Sequence, residues 1–371
     1  MDCRVKCCSS FYMNNTLKFN RKKSQFLIVT RKRVDEHFKN SGTSKNANAS
    51  MWFKTAVFLI GFFGLYALII SNAFTIWAML PMAILLGIFS AFVGFNICHD
   101  AIHGSFSSHK SVNKAFGFVF HLLGASPYVW SITHNLVHHN FTNVPGHDED
   151  IDVAPGLIRI SDDKPATKIH RFQHLYAFPL YSLASISWAF RKDYKKFFQA
   201  KVGQTESKHP KVEYFNLFFY KAMYYFLFLV LPMLVLDISW WHLIIGFLAL
   251  HFAQGLTMGL VFQLAHVVEG TDYPMPDDTG NIEETWAEHQ MRTTANFATN
   301  SKLAAFFLGG LNRQIEHHLF PGICHIHYGK ISSIVKETAA EFDIPYIESP
   351  TFTMALKSHY RMLRKFGVQS A

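Results

Sequence analysis

Residues 52–97 read WFKTAVFLIGFFGLYALIISNAFTIWAMLPMAILLGIFSAFVGFNI, and this stretch decides the fold. Lys54, near the edge of the first apolar run (Trp52–Ile70), is the one charge before Asp100. The second run, Phe74–Ile97, begins after Ser71-Asn72-Ala73. An α-helix rises about 1.5 Å per residue, so each run can cross the roughly 30 Å hydrocarbon core of a bilayer. The linker leaves room only for a tight turn, and the pair reads as a transmembrane hairpin.

Phe215–Leu236 and Trp241–Phe262 repeat the pattern around Asp237-Ile238-Ser239-Trp240. Lys221, near the start of the third run, is expected to snorkel to the interface, and Trp240-Trp241 sits where aromatic belts occur. The expected fold is therefore all-α and integral to a membrane. Four transmembrane helices, about 52–70, 74–97, 215–236 and 241–262, form two hairpins beneath a cytoplasmic helical cap from 98–214 and 263–371. Cys98–Trp130 is apolar but punctuated by His99, His103, His109, Lys110, Lys114 and His121, which argues for interfacial helices. Phe172–Phe190 reads as a membrane-surface helix, and Leu303–Leu311 is too short to span. Residues 1–50 read as a polar, basic, partly disordered tail ahead of a membrane domain over 51–371. That tail includes a short amphipathic helix over Val34–Asn40. Met1–Met13 lacks the apolar core of a secretory signal, and Met13 is an alternative start.

Composition agrees with the hairpins. The 371 residues are 50% hydrophobic and only 16% charged, against about 25% charged in soluble chains. The formal charge of +9 could mark nucleic acid or an anionic membrane surface as partner. Its distribution decides. The turns at 71–73 and 237–240 carry no Lys or Arg, whereas the N-terminus, the 191–211 loop and Lys357, Arg361, Arg364 and Lys365 are basic. The positive-inside rule then puts both termini in the cytoplasm, in a bacterial inner membrane or its equivalent, and no nucleic-acid partner is needed. Cysteine is sparse, with five residues and no CxxC pair, so neither a disulfide framework nor a zinc ribbon is indicated.

Histidine is the unusual count, at 21. His99 and His103 stand at i, i+4 where the second run exits. His134, His138 and His139 repeat that spacing with an adjacent imidazole, His266 follows the fourth run, and Gln314 precedes His317 and His318. A lone HxxxH at a helix end is often chance. Two hairpins, however, return all these segments to one membrane face. Eight imidazoles and a carboxamide are too many for one tetrahedral site and suit two metal ions, although imidazole alone does not choose among Zn, Cu, Fe and Ni. His109, His121, His147, His170, His174, His209, His242, His251 and His359 read as interfacial or surface residues, and His325 and His327 fall in neither class. The acidic run at 148–152 reads as a solvated loop or helix cap rather than a metal site.

These boxes, His99–His103, His134–His139 and Gln314–His318, resemble the three histidine boxes of the membrane fatty-acid desaturase family. Gln314-Ile315-Glu316-His317-His318 resembles the third box of front-end (delta-5/delta-6-like) desaturases, in which glutamine replaces the first histidine. The resemblance runs from about Ala49 to Tyr346 and includes Trp286, His289-Gln290 and Gly309-Gly310-Leu311-Asn312. It implies a non-haem di-iron centre held by His99, His103, His134, His138, His139, His266, His317 and His318, with Gln314 bound directly or through water. It further implies O2-dependent insertion of a cis double bond into a long acyl chain, carried by coenzyme A or a lipid, with no side-chain nucleophile. Removing hydrogen from an unactivated methylene needs an oxidant stronger than any side chain, which O2 activated at iron supplies. Asp100, Asn135 and Glu316 are expected to orient ligand imidazoles. Many front-end relatives carry a fused cytochrome b5 domain with a His-Pro-Gly-Gly motif. Here no such motif precedes the first run, so a separate ferredoxin or cytochrome b5-like donor is expected. A hydroxylase or sphingolipid desaturase with similar boxes is the near alternative, and a metal-binding membrane sensor or transporter the distant one.

Overall fold

The computed structural model describes residues 16–151, 153–161 and 165–368. Its backbone is almost wholly helical, and the few strands are two-residue pairs. Among the described residues four helices are long and apolar enough to cross a membrane: α2 (Ala49–Ile70), α3 (Ile76–Ile102), α7 (Lys211–Val235) and α8 (Trp240–His266). The number becomes five if α4 (Lys110–Leu122) and α5 (Pro127–His138), bent by 107° at the intervening turn, are taken as one broken span. The first and second boxes are thus continuous with apolar helices. α3 does not stop at Ile97 but runs through His99, and α8 ends on His266 itself.

α3 and α8 form the central seam. At Gly87 an added Cβ would lie 2.1 Å from the Leu250 carbonyl oxygen, so only glycine lets these helices approach this closely. The clusters around the seam bury Phe58, Leu86, Val93, Tyr224 and Leu250 on one side and Phe95, Met258, Val261 and Leu264 on the other. Membrane helices gain no hydrophobic drive from meeting in lipid, so this interdigitation supplies the association. Lys221 does not snorkel. Its ammonium is buried 2.8 Å from Asp193 and donates to the carbonyls of Gly124 (2.7 Å) and Trp188 (3.0 Å), because a fully paired cation is cheaper to keep inside than a lone one.

The segment expected to be a tail with a short helix is largely built into the fold. α1 runs over Gln25–Ser41, opened by the Ser24 side chain and closed by Gly42 at φ 62. Phe26, Val34 and Phe38 recur at multiples of four and pack on Ile331, Val335 and Ala339 of α11 (Tyr328–Glu341). Arg33 adds a two-pronged pair with Glu341 at 2.7 and 2.8 Å. The dense charges of 31–36 hide this apolar stripe from a compositional reading. Residues 1–15, on which the rest of the tail expectation falls, lie outside the described residues. α6 (Gln173–Ser182) and α12 (Phe352–Val368) pack on each other and on α8. Three histidines expected at the surface are buried: His170, His251 between Ser185 and Tyr224, and His359 between Tyr181 and the Val267 carbonyl.

Candidate metal centre

Each histidine box sits where a helix changes its winding or ends. Gly94–Cys98, just before His99, is a π-helical turn, and so is Ser131–His138. In the second case His139 N–H donates to the His134 carbonyl, five residues back, at 3.0 Å. With i→i+5 bonding, position i lies beneath both i+4 and i+5. His134, His138 and His139 therefore share a face. Such π turns cluster at functional sites. The third box lies on α10 (Gln314–Leu319), every residue of which is buried. Gly309 and Gly310, at φ 60 and 73, turn the chain into it, with Gly309 pressed against the Phe95 carbonyl of α3. The Asn296 side chain then accepts from Ile315 N–H at 3.0 Å and fixes the start of α10.

The structure brings all eight predicted histidines together. His99, His103, His134 and His317 present nitrogens within 4.8 Å of one another, as do His138, His266 and His318. His139 joins the two groups, with ring centroids 4.6 Å from His317 and 4.4 Å from His318. Two adjoining pockets of imidazole result. Among the described residues, Nε2 of His99, His103, His266, His317 and His318 is buried with no hydrogen-bond partner, and so is Nδ1 of His139. A buried polar atom without a partner is costly, and so many aimed at two small volumes suit a cation in each. Burial, then repulsion from neighbouring rings, holds His103, His139, His317 and His318 well below the ordinary imidazole range. They are neutral at physiological pH, and a lone pair is available for coordination. Gln314 is buried too, with its Oε1 unpartnered.

The Nδ1 atoms of five of the rings are held from behind. Asp148 is 2.8 Å from His138 Nδ1 and Asp150 is 3.2 Å from His134 Nδ1. Gln290 Oε1 lies 2.7 Å from His318 Nδ1, the Tyr328 hydroxyl 3.2 Å from His317 Nδ1, and the Thr293 carbonyl 3.3 Å from His266 Nδ1. Such partners fix the tautomer and aim the free nitrogen inward. The acidic run is therefore no solvated loop: Asp148 is a buried support, Asp150 a partly buried one, and Asp152 lies outside the described residues. Their signal was an acidic run ten and more residues after a histidine box.

The residues expected in this role behave differently. Asp100 lies 3.8 Å from His99 Nδ1 but is taken chiefly by His325, whose Nδ1 is 2.8 Å away. Glu316 points away from the rings, receiving hydrogen bonds from Asn296 (2.8 Å) and Tyr346 (2.7 Å), and burial pushes its carboxyl up. Among the described residues Asn135 donates only to the Ile102 carbonyl, at 3.5 Å. Asp100, Cys324 and His325 form a further group of possible ligand atoms. Lys54 closes it, since its ammonium is 2.9 Å from His325 Nε2 and both ring nitrogens are thereby used.

A family model described as fatty acid desaturase matches residues 74–350. The chain belongs to the fatty acid desaturase family. The desaturase is 36% identical over 349 residues to an acyl-lipid (8-3)-desaturase of Physcomitrium patens, covering 92% of this chain and 72% of that one. It is 35% identical over 358 residues to an sn-1 linoleoyl-lipid 6-desaturase of Synechocystis sp., covering 95% and 98%. A protein of the same description from Arthrospira platensis is 34% identical, with 91% of each chain covered. With its apolar helices, this desaturase is a membrane protein and an oxidoreductase acting on fatty acyl chains.

Proposed function

We propose that the protein desaturates the acyl chains of membrane lipids at a pair of iron ions. The observation that carries this reading is the inward set of unpartnered imidazole nitrogens, backed by buried carboxylates and amides. His99, His103, His134 and His317 would hold one ion and His138, His266 and His318 the other, with His139 between them and Gln314 as a weaker oxygen donor. When bound, two ferrous ions supply two electrons to O2 and make it an oxidant able to attack a methylene. The overall balance is R–CH2–CH2–R′ + O2 + 2e⁻ + 2H⁺ → R–CH=CH–R′ + 2H2O, the bond formed being cis. No side chain acts as nucleophile.

The chain's own part is to hold and shield. Asp148, Asp150, Gln290 and Tyr328 keep the donor nitrogens aimed, and burial keeps the imidazoles neutral. Trp130 stacks on His134 with centroids 4.2 Å apart, and Phe262 stands 6.2 Å away, so substrate meets an apolar, water-poor wall. The relatives from Physcomitrium patens and Synechocystis sp. are named for lipid-borne acyl chains, which favours such a chain here over a coenzyme A ester. The histidine end of the helices, the cap and both termini are assigned to the cytoplasm on the distribution of basic residues. A separate ferredoxin or cytochrome b5-like protein would supply the electrons. Arg21, Lys22, Lys23 and Arg31 are exposed, with no ion pair among the described residues, and suit an acidic partner.

Expression in a host of defined lipid composition, with mass spectrometry of the lipids and metal analysis of the purified protein, tests the reading. Loss of two hydrogens from an acyl chain and about two irons per chain are expected. Gain of one oxygen, or full activity with another metal, would overturn it.

A further inference from the structure

A cavity of about 90 Å³ lies beside the histidine cluster. Its walls are apolar, from Trp130, Val153, Trp188, Met258 and Phe262, but one edge is formed by Asp150 and Lys192. A second, smaller cavity shares Trp130, Trp188, Met258 and Phe262 with it and reaches His99. The two adjoin at these four shared side chains, and Asp150 and Lys192 line only the first. Met258 stands in both cavities, and its unbranched, flexible side chain can move for a guest. A mostly apolar site with a few placed polar groups is how proteins orient a small ligand.

Lys192 is the unusual member. Its ammonium is 2.9 Å from one oxygen of Asp150, whose other oxygen is the one 3.2 Å from His134 Nδ1. It also stands 5.6 Å above the Trp188 ring. An ammonium has three donors, and Asp150 is the one hydrogen-bond partner of Lys192 among the described residues. The side chain keeps 32% exposure and lines the cavity, where a ligand can meet it. Aspartate alone would keep His134 aimed. A lysine at the edge of an apolar cavity, one carboxylate away from a cluster histidine, does something further.

We propose that Lys192 binds the carbonyl oxygen of the acyl ester and so sets which carbons are desaturated. With the carbonyl held at that edge, the chain passes Trp188 and Trp130 toward His99 and His134. The reacting carbons then lie at a fixed count from the carboxyl end. Lys192 is a substrate-positioning residue, and this role rests on the acyl-lipid reading above. A thioester carbonyl offers the same acceptor, so the chemistry recognised is an acyl carbonyl in either carrier.

The test compares a fatty acyl glycerolipid with its alkyl ether analogue, which lacks only the carbonyl oxygen. Binding to the full-length protein in lipid nanodiscs is measured, together with the position of the double bond in products. The wild type should bind the ester roughly tenfold more tightly than the ether, the scale of one hydrogen bond to a charged group. Lys192→Met should remove that preference and scatter the double-bond position at unchanged metal content, and Lys192→Arg should restore the preference. An ester preference that survives in Lys192→Met, or is missing from the wild type, overturns the proposal. Should Lys192→Met lose metal or fold, the Lys192→Arg variant and the wild-type comparison still decide. Repeating the comparison with an acyl-CoA and its thioether separates the two carriers. Because binding is read without turnover, a wild type that binds as expected but does not desaturate lipids would count against the acyl-lipid reading alone.

Discussion

His138 and Asp148 illustrate how much of this centre is decided one side chain behind the ligands. The Asp148 carboxylate meets His138 Nδ1 on one oxygen, which also accepts from Asn143 N–H at 2.9 Å, and Asp150 N–H on the other at 3.0 Å. Asp148→Asn is the same size but uncharged. It should lower metal affinity or turnover by about 10–100-fold, the usual effect of losing such a partner. Titration with a coloured divalent metal would read this, and an unchanged affinity would remove Asp148 from the role. The rings themselves predict a pH dependence. His103, His139, His317 and His318 are held below the ordinary value of 6.5 in the fold. As pH falls through that value the unfolded chain takes up protons that the fold refuses. Metal-free protein should therefore be most stable above pH 6.5 and weaken steadily below it. Thermal midpoints between pH 5 and 8 would show the slope, and a flat profile would mean these rings are not buried neutral. The ligands were legible in the sequence because they come in clusters at helix exits. Their supports were less so: the acidic run with Asp148 follows its box closely but reads as solvated, and Gln290 gains meaning only when a segment 28 residues away meets His318.

At the scale of elements, the four apolar helices were legible from hydropathy, whereas winding was not. Nothing in Ser131–His138 announces a π-helical register, yet that register lets adjacent histidines serve one site. α1 was under-read for a different reason. Its buried positions are few and spaced among arginines and lysines, so composition outvoted periodicity. Phe26 is 1% exposed and packs on α11, whose first residue, Tyr328, supports His317. Phe26→Ala should destabilise the cap by about 3–5 kcal/mol and weaken metal retention with it. Parallel melting curves and metal assays would check both, and an unaffected melting temperature would show α1 to be dispensable to the cap.

Across the whole molecule, the buried pair Lys221–Asp193 ties α7 to the turn after α4 and to Trp188 in the cavity wall. Lys221→Met leaves Asp193 buried without its cation and should cost about 3–5 kcal/mol. Joining it with Asp193→Leu should recover much of that loss. Denaturation in detergent measures both variants, and a double variant no better than the single would mean the pair acts through packing. A similar tie operates in time. Lys54 and His325 are separated by 271 residues, and they close a group that includes Asp100, next to the first box. At about 5–20 residues per second, synthesis of the intervening chain takes on the order of 15–50 s. For that interval Lys54 and Asp100 have already emerged but lack the imidazole that joins them. The first box therefore waits on a segment made 225 residues later. A ribosome stalled before residue 325 would leave it open.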